Sequence, residues 1–247
     1  EMCIRDRICI LKEAKKSISL EINESKATSI ELFRAIPSTL LDNKTFSMFA
    51  DTPKYRRKIL DRCLMASDKN YSKDFFSFHR SLKQRNAALK FKRLTNIDMW
   101  SEIFINSGTL ISEKRNNFFE ETKQTFFRFA KNLKDKRVLE IINSLEILFH
   151  KGWASQHSLK EVLELNRDSD QRKTSTTSGP HRADIKFLIK DSDIKYILSR
   201  GEQKFMSILW CLSMHKTLSD VYGVKPFLII DDIHSELDED FYNELIN

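Results

Sequence analysis

Residues Phe227 to Asp238 read FLIIDDIHSELD. Four apolar residues run without polar alternation into two adjacent carboxylates. A run this short and this uniform predicts a strand buried on both faces of a mostly parallel sheet. Asp231 and Asp232 then emerge at its carboxyl end, where open α/β sheets place their ligands. Paired acids there suit a nucleotide-hydrolysing site. One holds Mg²⁺ through oxygen, usually by way of water; the other orients or deprotonates the attacking water. Taken alone, the same residues also fit a buried strand that ends in a solvated acidic turn.

A second segment, Leu198 to Lys204, reads LSRGEQK and is followed by Phe205, Met206, Ile208, Leu209, Leu212 and Met214. These recur at helical spacing, so a Ser/Gly turn opens an amphipathic helix. The free N–H groups and partial positive charge of a helix N-terminus suit a phosphate. Ser199 adds a hydroxyl and can cap the helix, and Gly201 has no Cβ to keep a ligand away. An ordinary N-cap is the plain alternative. A third segment, Ser178 to Asp184, reads SGPHRAD. Its Gly-Pro predicts a turn ahead of a strand at Ile185–Ile189, with His181 and Arg182 able to meet a phosphate or an acidic neighbour.

In this order and spacing, SGPHRAD, LSRGEQK and LIIDDIHSELD resemble the RecF family of DNA-repair ATPases, which belong to the ABC-type ATPases related to SMC proteins. TPKYRRKILD (Thr52–Asp61), LKQRNAALK (Leu82–Lys90), Gly152-Trp153 and Arg167-Asp168 agree with it, and the likeness runs from about Glu31 onward. The resemblance implies an α/β fold: part of an ABC-type ATPase head with an inserted α-helical arm. It implies ATP and Mg²⁺ as cofactors and a homodimer that sandwiches ATP between two chains. Asp231 would help to hold Mg²⁺, and Asp232 would polarise the attacking water. Ser199, Arg200, Gly201 and Glu202 would form the signature turn, facing the nucleotide of the opposite subunit. Ser235 to Asp238 would form the D-loop across the seam. Expected partners are gapped or junction DNA and recombination mediator proteins that load a recombinase. The alternatives are another SMC-like, nuclease-associated ATPase and, in a different class, a non-catalytic module that binds DNA or a partner.

Several features depart from the family pattern. The five glycines have no GxxxxGK[ST] spacing, and no Gly-Lys pair occurs. The loop that cradles phosphates is therefore missing from these residues. The chain reads as a fragment, incomplete at both ends, that does not hydrolyse ATP by itself. Residues Glu1 to Arg7 match nothing expected and are set aside. Glu202 stands where Gln is usual, and Thr39 lies near where some relatives carry Gln.

Net charge is +7, unevenly spread. From Asp51 to Trp100 there are thirteen Lys/Arg against five Asp/Glu; from Pro226 to Asn247 there are seven acids and no Lys or Arg. The basic stretch predicts phosphate contacts to DNA, without base reading, from Lys54, Arg56, Arg57, Lys83, Arg85, Lys90, Lys92 and Arg93. For Arg56 and Arg57, ion pairing within the arm is the alternative. Four scattered cysteines suggest neither a zinc site nor a disulfide framework and fit a reducing cytoplasm. No apolar run approaches the ~20 residues of a membrane-spanning helix.

Three segments are expected: the end of a first ATPase lobe (1–52), a helical arm (53–166), and a signature and Walker B lobe (167–247). Helices are predicted at Pro53–Ala66, Asp74–Arg93, Asn96–Phe127 and Leu159–Leu165. Ile8 to Phe49 reads as strands and loops, with a strand near Ser17–Ile22. Strands are also predicted at Ile185–Ile189 and Lys195–Leu198, and a polar linker at Arg167–Ser178. Phe126–Phe149 fits helix or strand.

Overall fold

The computed structural model describes residues 7–11, 19–42, 45, 47–50, 52–92 and 94–231. An antiparallel meander opens the chain: β1 (Ile8–Leu11), β2 (Ser19–Ile22) and β3 (Ser25–Lys26). Helix α1 (Ser29–Ala35) follows inside the stretch expected to hold strands and loops. Its signal is a capping box. The Thr28 hydroxyl accepts from Glu31 N–H, and the Glu31 carboxylate accepts from Thr28 N–H. Strand β4 (Ser38–Leu41) and the short α2 (Ser47–Ala50) lead into the helical region.

Helix α3 (Pro53–Ser67) starts on a proline, whose missing N–H costs nothing in a first turn. Helix α4 (Tyr71–Lys90) packs along α5 (Ile97–Ala130), 34 residues long and so about 51 Å at 1.5 Å per residue. Ile97, Phe104, Ile111 and Phe118 are buried on a seven-residue spacing, and Phe119 and Phe126 extend that stripe. Leu110 turns outward from that stripe and is 44% exposed. Helix α6 (Lys136–Asn143) precedes β5 (Leu145–His150), so the stretch that fitted either element holds both.

Helix α7 (Leu159–Leu165) has its own capping box, Ser158 with Glu161. Helix α8 (Arg167–Lys173) replaces the expected linker. Its polar sequence hides favourable end charges: Asp168 and Asp170 in the first turn, Arg172 and Lys173 in the last. Strand β6 (Asp184–Ile189) pairs antiparallel with β5 on one side and β7 (Ser192–Asp193) on the other. The expected strand at Lys195–Leu198 is instead a 3₁₀ turn, Ile194–Tyr196. The Asp193 carboxylate accepts from Lys195 N–H, and Leu198 N–H returns to the Ile194 carbonyl, which curls the backbone out of any ladder.

Helix α9 (Arg200–Asp220) runs through the middle of the core, and β8 (Phe227–Ile230) pairs parallel with β4. One hydrophobic core joins Leu41 and Met48, the arm residues Phe104 to Leu163, and Ile185 to Leu218. The packing therefore does not divide at the expected boundary between 166 and 167, because β5 lies in the same sheet as β6. Among the described residues, no helix is long and apolar enough to cross a membrane.

Candidate functional site

Ser199 is the N-cap of α9. Its hydroxyl accepts from Glu202 N–H (3.3 Å), while Glu202 Oε2 accepts from Ser199 N–H (2.7 Å). This closes a capping box and fixes the turn. Ser199 and Arg200 are exposed and Gly201 is half-buried. Glu202, expected in the nucleotide-facing turn, is turned inward: it is 5% exposed, and its Oε1 takes the Arg137 Nε–H at 2.6 Å. Burial raises the Glu202 pKa, but hydrogen bonds from Ser199 and the Arg137 charge outweigh it and hold the carboxyl below its ordinary value. Arg137, on α6, carries no signal in the sequence that would tie it to this turn. Replacing Ser199 with Ala is expected to cost about 1 kcal/mol through the lost cap, and Ser199→Asp should retain the cap. Urea unfolding of both variants checks this.

At the other motif, Asp231 follows β8 directly and is exposed. Its N–H donates to the Leu41 carbonyl at 2.9 Å, which extends the parallel ladder by one step. Asp42 follows β4 in the same register, where Leu41 stands opposite Ile230. Adjacent strands lie about 5 Å apart, so two acids share this carboxyl edge. Asp42 was missed because a single acid after four mixed residues has no distinctive pattern. It binds Thr45, accepting from Thr45 N–H at 3.1 Å and donating its own N–H to Thr45 Oγ1 at 2.9 Å. Asp232, Ser235 and Asp238 lie outside the described residues. Thr39 sits on β4 with its hydroxyl 3.1 Å from His215 Nδ1 of α9, a polar link across the core.

Strand β8 is not buried on both faces as expected. Phe227, Leu228, Ile229 and Ile230 are 40–62% exposed, because among the described residues β4 is its sole neighbour in the sheet.

The GPHRAD segment serves the fold. Gly179 has φ +140 and donates its N–H to the Gly152 carbonyl. His181 Nε2 bonds to the Thr176 carbonyl (3.0 Å), and burial pushes the imidazole pKa down to about 4, so the ring is neutral. Arg182 is exposed.

Seven of the eight expected DNA-contacting cations are described, and they separate into two groups. Arg85 is not a surface phosphate contact: it is 3% exposed, with Nη1 donating to Asp170 (2.9 Å) and Thr176 (2.6 Å). Arg56 is forked onto Asp184 (2.7 and 3.1 Å), and its Nη1 donates to the Met48 carbonyl, so it follows the ion-pairing alternative. Arg57 Nη1 donates to the Ala183 carbonyl at 2.6 Å. Lys54, Lys83, Lys90 and Lys92 are exposed. Arg93 lies outside the described residues. Among the described residues no cluster of three or more His, Cys, Asp or Glu is grouped to hold a metal.

No family model matches the sequence. The DNA replication and repair protein RecF of Pseudoalteromonas translucida is 33% identical over 239 residues, which cover 94% of this chain and 64% of that protein. RecF of Caldanaerobacter subterraneus subsp. tengcongensis is 30% identical over 232 residues, 91% of this chain and 63% of its own length. A solved structure of the recombination mediator protein RecF with ATP, from the RecFOR pathway, superposes with a TM-score of 0.82. It is 26% identical, covering 98% of this chain and 67% of that one.

The fold is that of part of an ABC-type ATPase head with an inserted helical arm. The chain spans a little under two thirds of the length of the curated relatives it matches. It belongs to the RecF family.

Proposed function

We propose that this chain carries the signature turn, the Walker B acids and the arm of a RecF-type protein that acts in DNA repair and replication, in the cytoplasm. The observation that carries this reading is a RecF-like fold in which Ser199 opens α9 and Asp231 closes β8. Asp231 offers carboxylate oxygens, the donors Mg²⁺ takes, and Asp42 stands beside it. The residues present thus fit the metal, whose bound charge would offset that developing on the β- and γ-phosphates. Asp232 would orient the attacking water. Ser199, with its hydroxyl at the exposed end of α9, and Gly201 would meet the phosphate held by a second copy; Arg200 flanks them. Ser235 and Asp238 would line the seam of that dimer. Nucleotide would then favour the closed pair through contacts that only the pair completes.

The DNA would be gapped or carry a single-strand to double-strand junction, and recombination mediators would be the protein partners. Lys83 and Lys90 are seven residues apart on α4, hence on one face about 10.5 Å apart along the axis, and Lys92 follows just beyond the helix end. Lys54, in the first turn of α3, is the other exposed cation left for a phosphate contact. Fluorescence anisotropy on a gapped duplex across a salt series tests this. Replacing Lys83, Lys90 and Lys92 with Ala should flatten the log–log salt slope by about 2.7, from three contacts at about 0.9 each. An unchanged slope, or binding indifferent to salt, sinks the assignment.

A further inference from the structure

A groove of about 530 Å³ opens where α1, α3 and α4 meet, and no residue of α9 or β8 lines it. Its floor is apolar and half-buried: Ile30 and Phe33 from α1, Met65 from α3 and Phe75 from α4. Its rim is cationic, and all four rim charges, Lys54, Arg57, Lys58 and Arg62, come from α3. Lys54, Lys58 and Arg62 recur every fourth residue, so their stems rise about 6 Å apart along one side of the helix. Asp61 is the one acid among the lining residues, and its carboxylate is committed to Arg115 at 2.7 and 2.8 Å. With Arg115 counted, five cations face one carboxylate. Burial, and after it the charge of Arg115, lowers the Arg57 pKa, as expected where positive charge is in excess.

The aromatic rings of the floor decide what kind of anion fits. Bases of a single strand stack on open ring faces. Here the Arg62 guanidinium stands 4.3 Å over the Phe33 ring, and the His79 ring packs 4.2 Å from that of Phe75. What remains is a concave apolar slot with a charged border. That shape takes an apolar side chain buried at the centre with carboxylates at the edge, as short protein motifs supply.

We infer that this groove docks an acidic segment of a partner protein, anchored by one Phe- or Leu-sized side chain on the Ile30–Phe33–Met65 floor and held by its carboxylates against Lys54, Lys58 and Arg62. The docking rests on the functional reading above and shares Lys54 with its DNA surface, but Lys83, Lys90, Lys92 and the nucleotide-site residues do not line the groove. Because Lys54, Lys58 and Arg62 are exposed, rising salt weakens it.

The test uses the whole chain and fluorescein-labelled peptides of about twelve residues, read by anisotropy. One peptide is rich in Asp and Glu around a central Phe; one has that Phe replaced by Ala; one has the acids replaced by Ser. The first should bind at least about tenfold more tightly than either control. Lys58→Glu with Arg62→Glu should weaken it about tenfold while the circular dichroism spectrum is unchanged. Ile30→Ser, which leaves the charges in place, should remove the advantage of Phe over Ala. Equal binding of all three peptides, indifference to the charge reversal, or displacement by oligo(dT) as effective as by unlabelled peptide would each overturn the inference; the last would make the groove a nucleic-acid site. Replacing Lys83, Lys90 and Lys92 should leave peptide binding unchanged, so a failure of the DNA assignment and a failure of this one are told apart.

Discussion

Arg115→Ala should lower the unfolding free energy by about 3–5 kcal/mol, the cost of stranding one partner of a buried ion pair. Arg115 is 1% exposed in the middle of α5. Its Nε and Nη2 donate to the two oxygens of Asp61, and its Nη1 donates to the Pro180 carbonyl at 2.7 Å. The Tyr71 hydroxyl donates to the same carboxylate. Burial alone would lower the Arg115 pKa, but Asp61 more than restores it, so the charged form persists inside. One side chain thus ties α3, α4, α5 and the GPHRAD turn together. Asp61→Leu with Arg115→Met should recover a large part of the loss, because two apolar groups of similar size leave no bare charge. Equilibrium urea unfolding decides it. A loss under about 1 kcal/mol for Arg115→Ala would show that water reaches the pair and that the turn is held by other contacts.

Gly152→Ala should be about as damaging, exceeding ~3 kcal/mol. Gly152 has φ +102, a conformation that costs a side chain about 1–3 kcal/mol by itself. A Cβ there would also overlap the backbone carbonyl of Gly179 and come within 2.9 Å of the Ala183 amide nitrogen. Those are backbone atoms and cannot swing aside. Gly223→Ala is the matched control. It too has positive φ, +65, but nothing lies within 4 Å of its Cβ, so about 1 kcal/mol is expected. Thermal unfolding of the two variants should separate them clearly; equal shifts would mean that backbone strain alone, and not the close approach of the two loops, makes Gly152 necessary.

How much of this was legible in the residues depended on the range of the interaction. Helices α3, α5 and α7 follow local rules: a proline at a first turn, apolar spacing, a Ser-x-x-Glu box. The turn at Ser199 is likewise local, so its cap was readable; the Arg137 charge that holds Glu202 comes from 65 positions away and was not. Charge density showed that residues 51–100 are basic but could not say which cations the fold consumes. Arg85 and Lys83 are two positions apart, and α4 turns one onto Asp170 and the other into water. Helix α8 escaped because a polar sequence with matched end charges resembles a linker until a partner such as Arg85 is in place.

The parallel pair β4–β8 has a practical consequence. It joins segments that stand 189 positions apart in sequence, Ser38 opposite Phe227 and Leu41 opposite Ile230. Parallel pairing over so long a separation closes slowly, so the β4 and β8 amides should be among the last to gain protection from hydrogen exchange during refolding.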